Sequence, residues 1–200
     1  MRLLVVLLLF TASPLAADDF PALYSVNGVA ANDVLNIRQA PDPTSPIIGT
    51  LAPDAAGVEV VDESDGWASV NTGEALGYAA ARFLSAESGS PWYQLEQPIS
   101  CSGTEPFWSF EIDTPKMTTT FTSATSEKPR VLPIQGLWPG NSWSTSAAVA
   151  VAEGMAVLRH EACNDGMSER GYGIAIDIFL NGGNHRISGC CTMIVDQIED

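Results

Sequence analysis

The segment Val58-Glu59-Val60-Val61-Asp62-Glu63-Ser64-Asp65-Gly66-Trp67-Ala68-Ser69-Val70 contains two short apolar strands separated by an acidic turn. Residues 58–61 and 67–70 are rich in β-branched and aromatic residues, which favour strands. The turn ends in Asp65-Gly66, a dipeptide typical of tight hairpins. Further short strands at 34–38 and 47–51 lie upstream. Short strands at this spacing, without helical periodicity, predict a small β-barrel or sandwich.

Several motifs in this part of the chain occur in the order found in a known domain. Leu35-Asn36-Ile37-Arg38, a proline-rich loop and Ile48-Gly49-Thr50-Leu51 resemble the opening of bacterial SH3-like domains. Asp65-Gly66-Trp67-Ala68-Ser69-Val70 is similar to their Gly-Trp-x-x-Val strand. Gly77-Tyr78 and Ala81-Arg82-Phe83-Leu84 are similar to their closing element, with Tyr-Ala in place of Trp-Val. The resemblance covers residues 24–85 and implies a small barrel able to bind cell-wall peptide.

The N-terminus has the features of an export signal. Met1-Arg2 is followed by the apolar run from Leu3 to Phe10, and small residues precede Asp18. This pattern predicts a signal peptide over residues 1–17. The run is too short to span a bilayer. We therefore expect a periplasmic or secreted protein with no membrane anchor after signal cleavage.

The charge of the chain excludes some classes of partner. The formal net charge is −15 at pH 7. Nucleic-acid binding requires clustered Lys and Arg, so we expect no nucleic-acid partner. The same charge opposes docking on anionic lipid and favours solubility.

The second half of the chain is again strand-like. A polar Gly/Ser/Pro-rich start marks residues 86–99 as a linker, in which Trp92, Tyr93 and Leu95 are expected to pack onto one of the domains. Residues 100–196 are predicted to form a second all-β domain, a disulfide-linked antiparallel β-barrel or curled sheet. Its strand-like segments lie at 107–112, 117–121, 147–151, 155–160, 173–180 and 185–191, with an Asn-Gly hairpin signal at 181–182. The fold class is therefore all-β, with two small domains.

The cysteines lie only in the second half. Cys101, Cys163, Cys190 and Cys191 are an even set in an exported chain, which predicts two disulfides. Adjacent residues of a strand face opposite ways, so Cys190 and Cys191 should have different partners. The pairs Cys163–Cys190 and Cys101–Cys191 are favoured, with the swapped pairing left open. The same geometry disfavours a shared zinc ion, and we expect no metal and no cofactor.

Two blocks of the second half carry a further resemblance. Gly103-Thr104-Glu105-Pro106-Phe107-Trp108 and Cys163-Asn164-Asp165-Gly166-Met167-Ser168-Glu169-Arg170, with the late Gly189-Cys190-Cys191, resemble an uncharacterised family of bacterial envelope proteins. The resemblance implies no activity. Because Glu105 and Arg170 both lie in these blocks, they are a possible buried structural pair.

Two sets of residues are candidate ligand contacts. Asp62, Glu63 and Asp65 precede Trp67, and with Tyr78 they predict a site where an amine of a peptidoglycan stem peptide meets charge and aromatic surface. Trp138 and Trp143 lie in a Pro/Gly loop. Such a loop is either a stacking platform for sugar rings or extended peptide, or a cover folded over the barrel end.

The sequence favours a binding protein over an enzyme. Cys101-Ser102-Gly103 is similar to three of the four residues of the Asp-Cys-Ser-Gly motif in papain-like cell-wall endopeptidases, and His160 and His185 follow. However, Ser100 replaces the Asp, a strand rather than a helix follows Cys101, so no helix dipole acts on it, and neither His lies in a Gly-His-Val-like setting. We expect no enzymatic activity. The leading function is an envelope binding or adaptor protein that recognises a peptidoglycan peptide or an envelope protein. The alternatives are a hydrolase using Cys101 and a structural or inhibitor-like protein acting by protein contact.

Overall fold

The computed structural model describes residues 19–73, 75–126, 128–180 and 185–193. The predicted signal peptide and the Asn181-Gly182 turn lie outside these residues. The described chain is all-β, as predicted, with fifteen strands in two units. No helix within these ranges is long and apolar enough to cross a membrane.

The first unit is a seven-stranded antiparallel sheet wrapped around its own core. Its strands are β1 (Ala22–Val26), β2 (Leu35–Arg38), β3 (Ile47–Leu51), β4 (Val58–Ser64), β5 (Trp67–Thr72), β6 (Ala75–Ala80) and β7 (Leu84–Ala86). They are ordered β3-β2-β6-β5-β4-β1-β7. Alternate residues along each strand face inward, so Ile37, Val60, Val70 and Ala79 form the centre of this core.

The β4–β5 hairpin is tighter than the sequence predicted. Asp62, Glu63 and Ser64 pair with Ser69, Ala68 and Trp67, so they belong to β4. Only Asp65 and Gly66 form the turn, with φ of 53° and 79°. Two successive positive φ values match the twist of the flanking strands, which is why Asp-Gly is favoured here.

The second unit is a closed eight-stranded barrel, which decides between the two predicted forms. Its strands are β8 (Ile99–Gly103), β9 (Trp108–Asp113), β10 (Thr118–Ser123), β11 (Arg130–Trp138), β12 (Ser146–Val151), β13 (Gly154–Cys163), β14 (Tyr172–Leu180) and β15 (His185–Thr192). Each strand pairs antiparallel with the next, and β15 pairs with β8 to close the barrel. The Ala-rich segment of β12 is a strand, as predicted, with Ala147, Val149 and Val151 facing the interior.

The segment between the units packs into the barrel. Residues 92–94 form one turn of 3₁₀ helix, and Leu95 ends it in the left-handed region with φ of 56°. Trp92, Tyr93 and Leu95 are buried in the barrel core, which confirms that they pack onto one of the domains. Residues 92–95 of the linker are therefore part of the second unit, whereas Glu87 bonds Ser25 and Gly57 of the first.

Both disulfides have the favoured pairing. Cys101 bonds Cys191, its direct neighbour across the β8–β15 ladder, and Cys163 bonds Cys190. Adjacent cysteines of β15 face opposite ways, as argued from the strand period. Cys101–Cys191 is buried in the core, whereas Cys163–Cys190 ties the end of β13 to β15.

The two units meet through specific polar contacts. Glu59 of β4 is 5% exposed and accepts hydrogen bonds from the Thr192 hydroxyl (2.6 Å) and the Met193 backbone N–H (2.7 Å). The Asn71 side chain exchanges two hydrogen bonds with the backbone of Gly171, at 2.8 and 3.0 Å. These contacts fix one particular orientation of the units, because each needs its partner group at a set position.

Candidate ligand-binding groove

A groove of about 1040 Å³ opens on the first unit. Its walls come from the loop after β1, strand β2, the β4–β5 hairpin and the segment that follows β6. The lining residues used below are Asp33, Arg38, Glu63, Asp65, Trp67, Arg82 and Phe83.

The alternation of β5 places Trp67 at the edge of this groove. Ala68 and Val70 face the core, so Trp67 faces outward and is half-buried. Asp65 and Trp67 also line a neighbouring concavity of about 370 Å³, which contains Tyr78 and Pro41. The two concavities therefore meet at Trp67, and the indole presents surface to both.

The groove contains charges of both signs. Asp33, Glu63 and Asp65 supply carboxylates, and Arg38 and Arg82 supply guanidinium groups. Arg38 donates to the Ser45 carbonyl at 2.6 Å. The Arg82 guanidinium lies 4.5 Å from the ring centroid of Phe83, a cation–π contact that leaves its N–H donors available to a ligand.

The loop that brings Pro43 to the groove is held by its own side chains. Asp42 accepts hydrogen bonds from the Thr44 hydroxyl and backbone N–H, both at 2.6 Å. These bonds hold the pKa of the Asp42 carboxyl below its usual value, because they stabilise the charged form. The Ser45 hydroxyl accepts from the Ala40 N–H at 3.0 Å, so a second side chain holds the same loop.

The structure separates the acidic residues that the sequence grouped together. Glu63, Asp65 and Trp67 line the groove, whereas Tyr78 lies in the adjacent concavity. Asp62 lines neither, because it precedes Glu63 on a strand and faces the other way. Asp62 is therefore placed outside this groove.

Three charged groove residues were missed by the sequence argument. Asp33, Arg38 and Arg82 reach the groove from three different segments. Arg38 and Arg82 lie within the motif blocks that carry the SH3 resemblance, so that resemblance could have pointed to them as candidate site residues. Only the fold shows that these segments share one groove.

Trp138 and Trp143 lie apart from the groove, on the hairpin that joins β11 and β12. Trp138 is 55% exposed and Trp143 is 95% exposed. The loop therefore shields neither indole, and its role as a cover over the barrel end stays a prediction. The hairpin does touch the linker, because the Gly140 N–H donates to the Tyr93 carbonyl at 2.7 Å.

The predicted buried pair of Glu105 and Arg170 does not form. Glu105 is exposed, with φ of 65°, in the turn between β8 and β9. Arg170 lies 5.6 Å from the Tyr172 ring centroid, and its Nε is buried without a hydrogen bond. The carboxylate that interacts electrostatically with Arg170 is Glu59, from the other unit, which no local motif could reveal.

The residues proposed for hydrolysis are not assembled for it. Cys101 is buried and bonded to Cys191, so it has no free thiol. His160 and His185 are exposed on β13 and β15. Among the described residues, no group of three His, Cys, Asp or Glu side chains is placed to hold a metal ion.

Comparisons with known proteins bear on the first unit only. No curated protein and no solved structure matches the chain. The resemblance of the second unit to an envelope family stays a prediction. Residues 33–85 match the family model of the bacterial SH3 domain, which confirms that the first unit is SH3-like.

Proposed function

We propose that this protein is a non-catalytic, periplasmic or secreted binding protein whose SH3-like groove recognises short cell-wall peptides carrying both an amine and a carboxylate. Bacterial SH3 domains are typical of cell-wall binding proteins. That domain and the two disulfides are consistent with an extracytoplasmic protein.

The choice of a peptide with an amine and a carboxylate as ligand rests on one observation. The groove combines the half-buried Trp67 with the carboxylates of Glu63 and Asp65 and the guanidinium of Arg82. A stem peptide has a side-chain amine and a terminal carboxylate, so it matches both signs of charge. The indole supplies the apolar contact between them.

The charge of the whole chain limits the strength of this binding. At −15, the protein gains no long-range attraction to anionic wall polymers. Binding then depends on short-range contacts, and we expect a Kd of roughly micromolar to millimolar. Lower salt should strengthen the amine contact, because it is a partly exposed ion pair.

The test is an NMR titration of the mature chain with a synthetic stem pentapeptide bearing a free ε-amine and a free C-terminus. Shifts are expected for Glu63, the Trp67 indole and Arg82. Glu63→Gln combined with Asp65→Asn should weaken binding about tenfold or more, and so should Trp67→Ala. Because Trp67 is half-buried, Trp67→Ala is expected to leave the fold intact.

The control is Asp62→Asn, which removes one carboxylate charge next to Glu63 on the opposite side of the strand. It should leave the affinity within about twofold of wild type. The absence of any shift near Trp67 at millimolar peptide would reject peptide recognition and favour an adaptor acting by protein contact.

A further inference from the structure

The β11–β12 hairpin is a second surface, independent of the groove. We propose that it binds neutral saccharide, with the indole of Trp143 stacking on the apolar face of a pyranose ring. The proposal does not rest on peptide recognition by the SH3-like unit, because the hairpin belongs to the barrel.

The hairpin tip presents Trp143 on an ordered backbone. Asn141 and Ser144 form an isolated bridge with two backbone hydrogen bonds, at 2.9 and 3.0 Å. The Asn141 side-chain oxygen accepts from the N–H of Trp143 at 2.9 Å and of Ser144 at 3.2 Å. Since the backbone is already ordered, stacking on Trp143 costs little additional conformational entropy.

Trp138 is held at the base of the same hairpin. A Cβ added at Gly136 would lie 2.6 Å from the six-membered ring of Trp138, so the ring rests against the Gly136 backbone. More than half of Trp138 remains exposed. The hairpin therefore carries two exposed indoles, one pinned near its base and one at its tip.

Apart from Arg130 at the start of β11, which is paired with Glu153, the hairpin is neutral on a strongly charged protein. Residues 131–152 contain no Asp, Glu, Lys, Arg or His, although the chain has a net charge of −15. The charge that faces the base is Arg159, opposite Ser146, and it is already paired with Asp177 at 2.7 Å. A ligand here meets no unpaired charge from these residues, which suits an uncharged partner.

The side chains around Trp143 favour a sugar over a protein partner. Ser142, Ser144 and Ser146 are exposed and lie within three residues of Trp143 in the sequence. Hot spots between proteins are aromatic residues enclosed by a packed rim that excludes water. A pyranose offers C–H groups to the negative face of an aromatic ring and hydroxyl groups to nearby hydroxyls. The combination of bare indoles and hydroxyls matches that chemistry.

The experiment is a fluorescence titration of the mature chain with the β-1,4-linked tetramer of N-acetylglucosamine. Saturable quenching and a blue shift are expected, and Trp143→Ala should lower the affinity at least about tenfold. Trp143→Phe should retain part of it, because a smaller ring still stacks. Since Trp143 is almost fully exposed, neither substitution should disturb the fold.

Two controls separate this surface from the peptide groove. Trp67→Ala should leave saccharide binding unchanged, and the affinity should vary less than about twofold between low and high salt, because the ligand is neutral. No saturable quenching by the tetramer would overturn the proposal. Self-association that Trp143→Ala abolishes, without saccharide binding, would also overturn it and identify a protein contact.

Discussion

Glu59 is a buried carboxylate whose pKa is changed by its surroundings. It lies on a strand of the SH3-like unit but is enclosed by the end of the barrel's last strand. Burial raises its pKa, which outweighs the hydrogen bonds from Thr192 and Met193 and the attraction of Arg170. Ionised Glu59 is therefore a cost to the folded state at neutral pH.

We predict that Glu59→Gln stabilises the protein at pH 7. Because the folded-state pKa is raised, the contribution of Glu59 to stability is greatest below its ordinary pKa of 4.5 and is lost as pH rises through the window above it. Glutamine keeps the size of the side chain and removes that titration. Urea unfolding across this pH range should show the variant exceeding wild type at pH 7, with the gain shrinking toward pH 4.

The control for this prediction is Glu63→Gln, an exposed carboxylate on the same strand. Its unfolding free energy relative to wild type should show no comparable change over the same window. A Glu59→Gln effect that is independent of pH, or that favours wild type at pH 7, would contradict the role assigned to burial.

Among the secondary-structure elements, β11 shows why local patterns are incomplete. Its sequence, Arg-Val-Leu-Pro-Ile-Gln-Gly-Leu-Trp, contains a proline and a glycine, which disfavour a strand, and no strand was predicted there. In the barrel, Pro133 pairs with Thr118, and the ladder shifts register between Ile134 and Gly136. Closure of the barrel accommodates both residues, so β11 is a strand because β10 and β12 pair with it on either side.

The two disulfides should contribute differently to stability. Cys101–Cys191 closes a separation of 90 residues and Cys163–Cys190 one of 27. By the chain-entropy estimate these constraints are worth about 4.6 and about 3.6 kcal/mol. We predict that replacing Cys101 and Cys191 by Ala lowers the free energy of unfolding more than replacing Cys163 and Cys190, also because the former bond is buried in the core.

Urea unfolding of the two double variants measures this order. Peptide mapping of the unreduced protein should show only the two native bonds. A larger loss for the Cys163/Cys190 pair would mean that the loop it holds matters more than chain entropy. A bond between Cys190 and Cys191 would contradict the strand geometry itself.

At the scale of the molecule, each unit has its own core cluster, and the contact between them combines the polar contacts of Glu59 and Asn71 with packing of Leu23 against the barrel core. We predict that residues 19–88 fold alone, since Ile37, Val60, Val70 and Ala79 are buried without the barrel's help. A domain of this size is only marginally stable. In the fragment, water reaches Glu59, so its pKa should fall toward the usual value.

NMR of the fragment tests both predictions. Well-dispersed amide signals would show that the fragment folds, and a carboxyl titration would give the pKa of Glu59. The full chain, under the same conditions, is the reference for the raised pKa of Glu59. Poorly dispersed amides would show that the SH3-like unit depends on the barrel. An unchanged Glu59 titration would show that the barrel contact does not cause the shift.

Much of this architecture follows from local pattern, and the rest from contacts between distant segments. The two-residue alternation and turn residues predicted most strands and required different partners for Cys190 and Cys191, because side-chain direction in a strand depends only on its neighbours. Only the tertiary structure determined that the barrel closes. It also determined that Arg38 and Arg82 line one groove and that Glu59 is buried against Met193. Those contacts join residues far apart in sequence, and no local periodicity encodes which strands become neighbours.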